Sequence, residues 1–141
     1  MKKKVLFICT HNSARSQMAE GIMNHFLGNN YSAYSAGTKP TFVNPFAIDV
    51  MKEIGIDISN HKSKSVFEFK GERFDYVVTV CDSAKENCPF FPGAKEYIHQ
   101  SFEDPSSFEG TDEEKLIKFR EVRDKIKDFI LNRFKKEDLN D

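Results

Sequence analysis

The chain has 141 residues, with 21 lysines and arginines, 22 aspartates and glutamates, and a formal net charge of -1. A chain of this length buries enough surface for one core, so we expect one domain over residues 1–141. The near-neutral charge disfavours nucleic-acid binding, and no apolar run approaches the roughly 20 residues of a membrane span. The apolar run after Lys2–Lys4 is too short for a secretory signal, so we expect a cytoplasmic protein. Structural disulfides are rare in the cytoplasm, so the roles of the three cysteines must be inferred from their positions in the sequence.

The hydrophobic pattern predicts alternating strands and helices along the chain. Apolar and β-branched runs predict strands at Lys3–Cys9, Tyr31–Ala36, Phe74–Cys81 and Lys95–His99. Apolar residues at helical spacing predict helices over Ser16–Leu27, from Pro45 behind an Asn44 cap, and over Asp112–Phe134, with Lys135–Asp141 frayed. This alternation is typical of an α/β fold, a parallel sheet with helices on both faces in three layers. Ligands of such sheets bind beyond the carboxyl ends of the strands.

The clearest motif is a Cys-x5-Arg loop from Cys9 to Arg15, between the first strand and the first helix. Five intervening residues allow backbone N–H groups and the helix N-terminus to converge on one oxyanion. Arg15 adds a planar fork for two anion oxygens, and the same donors favour a thiolate at Cys9, which Ser16 can hydrogen-bond. The candidate anion ligands within the loop are Thr10, His11, Asn12, Ser13 and Ala14. The alternative is a buried strand cysteine, an exposed helix arginine and ordinary capping residues.

Two further cysteines, Cys81 and Cys88, close the third strand and lie in the loop that follows it. Seven residues of helix span about 10 Å, whereas a disulfide needs Cα atoms about 4.4–6.8 Å apart. A bond between them would unwind a helical segment and act as a redox switch. Buried structural thiols, a zinc site with Cys9 and His99, and a thiol relay are the three interpretations. The zinc site is disfavoured because the chain has no closely spaced cysteine pair.

An acid follows the fourth strand. Asp104 precedes Pro105 on the carboxyl side of the sheet, where a carboxylic acid over the anion loop can protonate a leaving oxygen. An ordinary Asp-Pro turn is the alternative.

The loop together with the cysteine pair resembles the thioredoxin-coupled arsenate reductases built on the low-molecular-weight tyrosine phosphatase fold. The resemblance covers nearly the whole chain, through the segments Cys9–Gly21, Tyr34–Gly37, Asn44–Pro45, Asp57–His61, Val77–Cys88, Asp104–Pro105 and Phe119–Asp124. It implies a four-stranded parallel sheet in the order 2-1-3-4 and a monomeric enzyme without metal or organic cofactor.

The resemblance also implies a role for each residue of the site. Cys9 attacks arsenate held by the loop amides and Arg15, while Asp104 protonates the departing oxygen. Cys81 then attacks the Cys9 sulfur and arsenite leaves. Cys88 attacks Cys81 and leaves a redox-active Cys81–Cys88 disulfide, which thioredoxin reduces. The implied purpose is arsenic detoxification, with phosphate and sulfate as competing oxyanions.

The chain departs from these relatives in two places. Many of them carry Gly and Cys in the loop where this chain has His11 and Ala14. Some bind a monovalent cation behind the loop, and Lys64 replaces the Asp of that site. The other matching residues are Asn12, Glu20 and Ser35. We expect the Lys64 ammonium to take the ion's place and make activity independent of potassium; a solvent-exposed Lys64 is the alternative.

Two rival functions stay open. A phosphotyrosine phosphatase would share Cys9, Arg15 and Asp104 but has no use for the other cysteines, and Ser106 stands where such phosphatases carry an aromatic residue. Weak phosphatase activity is expected in any case. A non-catalytic thiol redox sensor is the second rival, and the intact Arg15 and Asp104 argue against it.

Overall fold

The computed structural model describes residues 2–82, 86 and 90–140, the last five of these through their backbone alone. Four strands form one sheet: β1 (Lys3–Cys9), β2 (Tyr31–Gly37), β3 (Phe74–Thr79) and β4 (Ala94–His99). All pairs are parallel and the order is β2-β1-β3-β4, which confirms the predicted topology. Strand β1 is thus one of the two inner strands, and both of its faces are covered, as its apolar sequence predicts.

Three α-helices connect and cover the strands: α1 (Arg15–Phe26), α2 (Pro45–Glu53) and α3 (Asp112–Asn140). Helix α2 starts as predicted, since the Asn44 side chain accepts a hydrogen bond from the Phe46 N–H at 2.8 Å. Helix α3 continues to Asn140, where the sequence predicted a frayed end from Lys135. The segment contains no Gly or Pro and consists largely of good helix formers, so nothing in it ends the helix.

Side chains of β1 alternate between two apolar layers. Val5 and Phe7 face the main core, which also contains the inner faces of α1, α2 and α3. Leu6 and Ile8 face the opposite side, where Phe91 and the short 3-10 helix Val66–Phe69 pack against them. Helical segments therefore flank the sheet on both faces, as predicted. Among the described residues, none of the helices combines the length and apolar character needed to cross a membrane.

Strand β3 is shorter than predicted. It ends at Thr79 and not at Cys81, although the Val80 N–H still donates to the Ile8 carbonyl at 2.9 Å. The Asp82 N–H donates to the Glu86 side chain at 2.7 Å, so the chain has left the sheet by that residue. The carboxyl ends of β1 and β3 are nevertheless adjacent, with Ile8 opposite Thr79.

Candidate active site

The loop between β1 and α1 turns its carbonyl groups away from its centre. The Thr10 carbonyl accepts from the Lys39 N–H at 2.9 Å, and the Ser13 carbonyl accepts from the Asn44 N–H at 2.9 Å. In a trans peptide unit the C=O and the N–H that follows it point in opposite directions. The N–H groups that follow these carbonyls therefore face the inside of the loop, as anion binding requires.

Cys9 lies at the start of this loop with a buried, free thiol. Its Sγ is 2.8 Å from the Ser16 Oγ. The Asn12 Nδ2 donates to that same hydroxyl at 2.8 Å, so the hydroxyl hydrogen can point at the sulfur. This chain of contacts places a hydroxyl donor against the Cys9 sulfur. Asn12 has φ +50, in the left-handed region that asparagine tolerates better than most residues.

A buried polar cluster holds Asn12 from behind. Its Oδ1 accepts from Gln17 Nε2 at 2.8 Å and from the Lys64 N–H at 2.8 Å. Gln17 also donates to the Lys62 carbonyl at 2.9 Å, and its Oε1 lies 2.9 Å from the His61 Nδ1. Sequence reasoning gave Gln17 and His61 no role. The available signal was a glutamine directly after the Cys-x5-Arg-Ser motif and beside the apolar stripe of α1.

The four residues matched to a cation site lie together beside this cluster. Ser35 Oγ donates to Glu20 Oε1 at 2.6 Å, and the Lys64 Nζ is 3.9 Å from the same oxygen. The Lys64 side chain is 23% exposed, and its Nζ also donates to the Lys62 carbonyl at 2.9 Å. The ammonium thus lies next to the carboxylate that a cation would bind.

Arg15 and Asp104 meet across the cleft. Arg15 is buried, and its Nη1 donates to the Phe102 carbonyl at 3.2 Å, while its Nη2 lies 3.6 Å from Asp104 Oδ2. The other oxygen of Asp104 accepts from the Ser106 N–H at 3.0 Å and from the Ser106 Oγ at 2.6 Å. Ser106 thus anchors one carboxylate oxygen and leaves the other facing the guanidinium, where a proton donor for a leaving oxygen would have to be.

Glu86 occupies the guanidinium fork in this structure, which sequence reasoning did not predict. Its two oxygens lie 2.5 Å from Arg15 Nη1 and 2.8 Å from Arg15 Nη2, and Thr10 Oγ1 donates to it at 2.7 Å. Burial raises the pKa of Glu86, but hydrogen bonds from Arg15, Thr10 and the Asp82 N–H outweigh it and lower the pKa to about 2. Burial lowers the pKa of Arg15, but the contacts with Glu86, Cys9 and Asp104 outweigh burial, so the pKa of Arg15 is raised overall.

The cleft above the loop has a volume of about 440 Å³ and is lined by residues that include Thr10, His11, Asp82, Glu86 and Asp104. The His11 ring is held at the rim of this cleft through its Nδ1, which lies 3.1 Å from the Lys39 carbonyl. The cleft is large enough for a tetrahedral oxyanion beside Arg15 once Glu86 is displaced.

The cysteines after β3 are described only in part. Cys81 is buried and disulfide-bonded, whereas Cys9 is free. Cys88 lies outside the described residues, so its pairing and the form of the segment around it stay predictions. For the zinc alternative, both ring nitrogens of His99 are engaged, with Thr79 Oγ1 at 2.7 Å and Ser101 Oγ at 2.9 Å. Within the described ranges, no group of three His, Cys, Asp or Glu side chains is arranged to hold a metal ion.

Comparison with known proteins identifies the family. Residues 4–139 match the model of the family described as low molecular weight phosphotyrosine protein phosphatase. The chain is 50% identical over 125 residues to an arsenate reductase of Halalkalibacterium halodurans, covering 89% of this chain and 90% of that protein. A solved structure of an arsenate reductase in its phosphate-binding state has a TM-score of 0.81 and 34% identity, over 96% of this chain and 98% of the other.

A thioredoxin-dependent arsenate reductase of Corynebacterium glutamicum has a TM-score of 0.72 and 30% identity, over 99% of this chain and 64% of the other. The match to the family model extends over nearly the whole chain and includes the Cys9–Arg15 loop and Asp104. The chain therefore belongs to the low molecular weight phosphotyrosine protein phosphatase family, in which these similar proteins are arsenate reductases.

Proposed function

We propose that the protein reduces arsenate to arsenite with three of its own thiols and is regenerated by thioredoxin. The observation that carries the proposal is the position of Cys81. It follows β3, beside the end of β1 where Cys9 lies, and it is engaged in a disulfide while Cys9 is free. A phosphatase needs one nucleophilic cysteine and has no chemical use for a second at this edge. The arsenate reductases among the relatives support the same substrate.

The first step uses the anion loop. Arsenate binds to the inward N–H groups and Arg15, and the Cys9 thiolate attacks arsenic while the Asp104 carboxylic acid protonates the departing oxygen. A Cys9–As bond forms, an As–O bond breaks and water leaves. Ser16, 2.8 Å from the Cys9 sulfur, stabilises the thiolate before attack.

The next steps move two electrons. The Cys81 thiolate attacks the Cys9 sulfur, an S–S bond forms, and the electron pair of the S–As bond leaves with arsenic as arsenite. The Cys88 thiolate then attacks the Cys81 sulfur, which releases Cys9 as a thiolate and leaves a Cys81–Cys88 disulfide. A disulfide-bonded Cys81 beside a free Cys9 is consistent with this last state. Thioredoxin, the reductant named for the Corynebacterium relative, supplies two electrons to reopen the bond. Such a relay needs a compartment that keeps thiols reduced, and we place it in the cytoplasm.

The test is arsenate-dependent NADPH oxidation in the presence of thioredoxin and thioredoxin reductase. We expect turnover by the wild type and none by Cys9→Ser or Cys88→Ser. Hydrolysis of p-nitrophenyl phosphate, a weak activity of the same loop, provides the matched control, because Cys88→Ser should retain it and Cys9→Ser should lose it. Full arsenate turnover by Cys88→Ser would refute the relay, and phosphatase activity without any arsenate reduction would make the protein a phosphatase.

A further inference from the structure

We propose that Glu86 is an internal ligand of the anion site, whose carboxylate occupies the Arg15 fork and excludes an oxyanion while Cys81 is disulfide-bonded. The inference rests on the proposed function for the identity of the natural anion and for the cycle of Cys81 between disulfide and thiol. Its contacts are those that any tetrahedral oxyanion would need to make.

The Glu86 carboxylate is bound as a substrate anion would be. It forms a two-oxygen contact with the Arg15 guanidinium at 2.5 and 2.8 Å. Thr10 Oγ1 and the Asp82 N–H donate to it, each at 2.7 Å. Arginine presents the same planar pair of donors to a carboxylate as to one edge of a phosphate or arsenate. An incoming oxyanion must therefore displace Glu86 before it can use Arg15.

The position of Glu86 is tied to the residue next to Cys81. The Glu86 N–H donates to the Asp82 carbonyl at 2.8 Å, and the Asp82 N–H returns a hydrogen bond to the Glu86 carboxylate at 2.7 Å. These two bonds tie Glu86 to the residue that directly follows the disulfide-bonded Cys81. Opening the disulfide releases Cys81 and with it the neighbouring Asp82, so the Glu86 carboxylate is then free to leave Arg15.

This arrangement prevents a side reaction of the oxidised protein. With Cys9 free and Cys81 held in a disulfide, arsenate could still form the Cys9 adduct with loss of water. No thiolate would be available at Cys81 to attack the Cys9 sulfur, so arsenic would stay bound without being reduced. Glu86 keeps the anion out until the reductant has restored the thiol.

The experiment measures binding of inorganic phosphate by isothermal titration calorimetry to the full chain, at fixed pH and ionic strength. Wild type, Glu86→Gln and the exposed control Glu109→Gln are each prepared oxidised and reduced, with the thiol state checked by mass spectrometry. We expect oxidised Glu86→Gln to bind phosphate about tenfold more tightly or better than oxidised wild type, since a charge-assisted competitor is removed. Reduced wild type and reduced Glu86→Gln should bind equally, and the control should follow the wild type in both states.

Two results would overturn the inference. Equal phosphate affinity of oxidised wild type and oxidised Glu86→Gln would show that Glu86 does not compete for Arg15. An equal gain in both thiol states would show that its position does not depend on the disulfide. Phosphate is bound and not reduced, so these outcomes are independent of whether the protein turns over arsenate.

Discussion

Replacing Gly37, at the end of β2, by alanine tests whether the anion loop must be held at one position for catalysis. A Cβ at Gly37 would lie 2.6 Å from the Thr10 carbonyl oxygen and 2.8 Å from the Asn12 nitrogen, whereas ordinary contact starts at 3.4 Å. Both are backbone atoms, so no side chain can rotate out of the way. The loop must move by about 0.8 Å, the difference between 2.6 and 3.4 Å. Overpacking of this kind costs about 1–3 kcal/mol of unfolding free energy, and a misplacement near 1 Å lowers rates by about 100-fold.

The assay compares kcat/KM for arsenate and the Tm of Gly37→Ala with those of the wild type and Gly71→Ala. At Gly71 a Cβ meets nothing within 4 Å, but φ is +85, so the control is destabilised by about 1 kcal/mol without touching the loop. We expect both variants to melt at lower temperature and only Gly37→Ala to lose about 100-fold in kcat/KM. Wild-type kcat/KM in Gly37→Ala would refute the view that the loop position limits the rate.

Three other predictions follow from named contacts. Because the Lys64 ammonium already lies 3.9 Å from a site carboxylate, replacing potassium by a bulky organic cation should leave arsenate turnover unchanged; strong stimulation by potassium would contradict this. Ser16→Ala removes the donor 2.8 Å from the Cys9 sulfur and should slow single-turnover arsenite release by about tenfold, while unchanged release would exclude a hydrogen bond that matters for the thiolate. The hydrogen bond from Arg120 lowers the pKa of Glu53, so Glu53→Gln should cost up to about 1 kcal/mol of unfolding free energy near pH 7. That cost should shrink as pH falls below the ordinary glutamate pKa of about 4.3. A larger cost at pH 3 than at pH 7, measured by urea denaturation, would contradict this.

The parts of the fold that sequence predicts are those with a local physical signal. Lys3–Cys9 is a strand whose last five residues, from Val5 to Cys9, are all apolar and buried, so both of its faces are covered and the sequence indicates it clearly. The start of α2 is visible because Asn44 and Pro45 are an ordinary cap and first residue. The 3-10 helix Val66–Phe69 was missed because four residues are too few to show a period, and Phe67 is 77% exposed.

The residues of the candidate site also divide into those with a local sequence signal and those without one. Cys9 and Arg15 lie six positions apart, and the loop spacing together with the flanking apolar strand and amphipathic helix predicts their joint role. The Glu86–Arg15 pair joins residues 71 positions apart, and a glutamate in a polar segment has no pattern that indicates its partner. Gln17 is similar, since its partners in the 61–64 segment meet it only after the sheet and α1 have packed. Contacts that exist only in the packed chain cannot be read from spacing.

The central claim is that the protein's own thiols supply the two electrons for arsenate. The most direct measurement mixes fully reduced protein with arsenate in the absence of thioredoxin or any other reductant, and counts arsenite and free thiols after one turnover. We expect one arsenite per chain, loss of two of the three thiols, and Cys9 as the one that stays free in peptide mapping. Arsenite formed without loss of thiols, or thiols lost without arsenite, would contradict it.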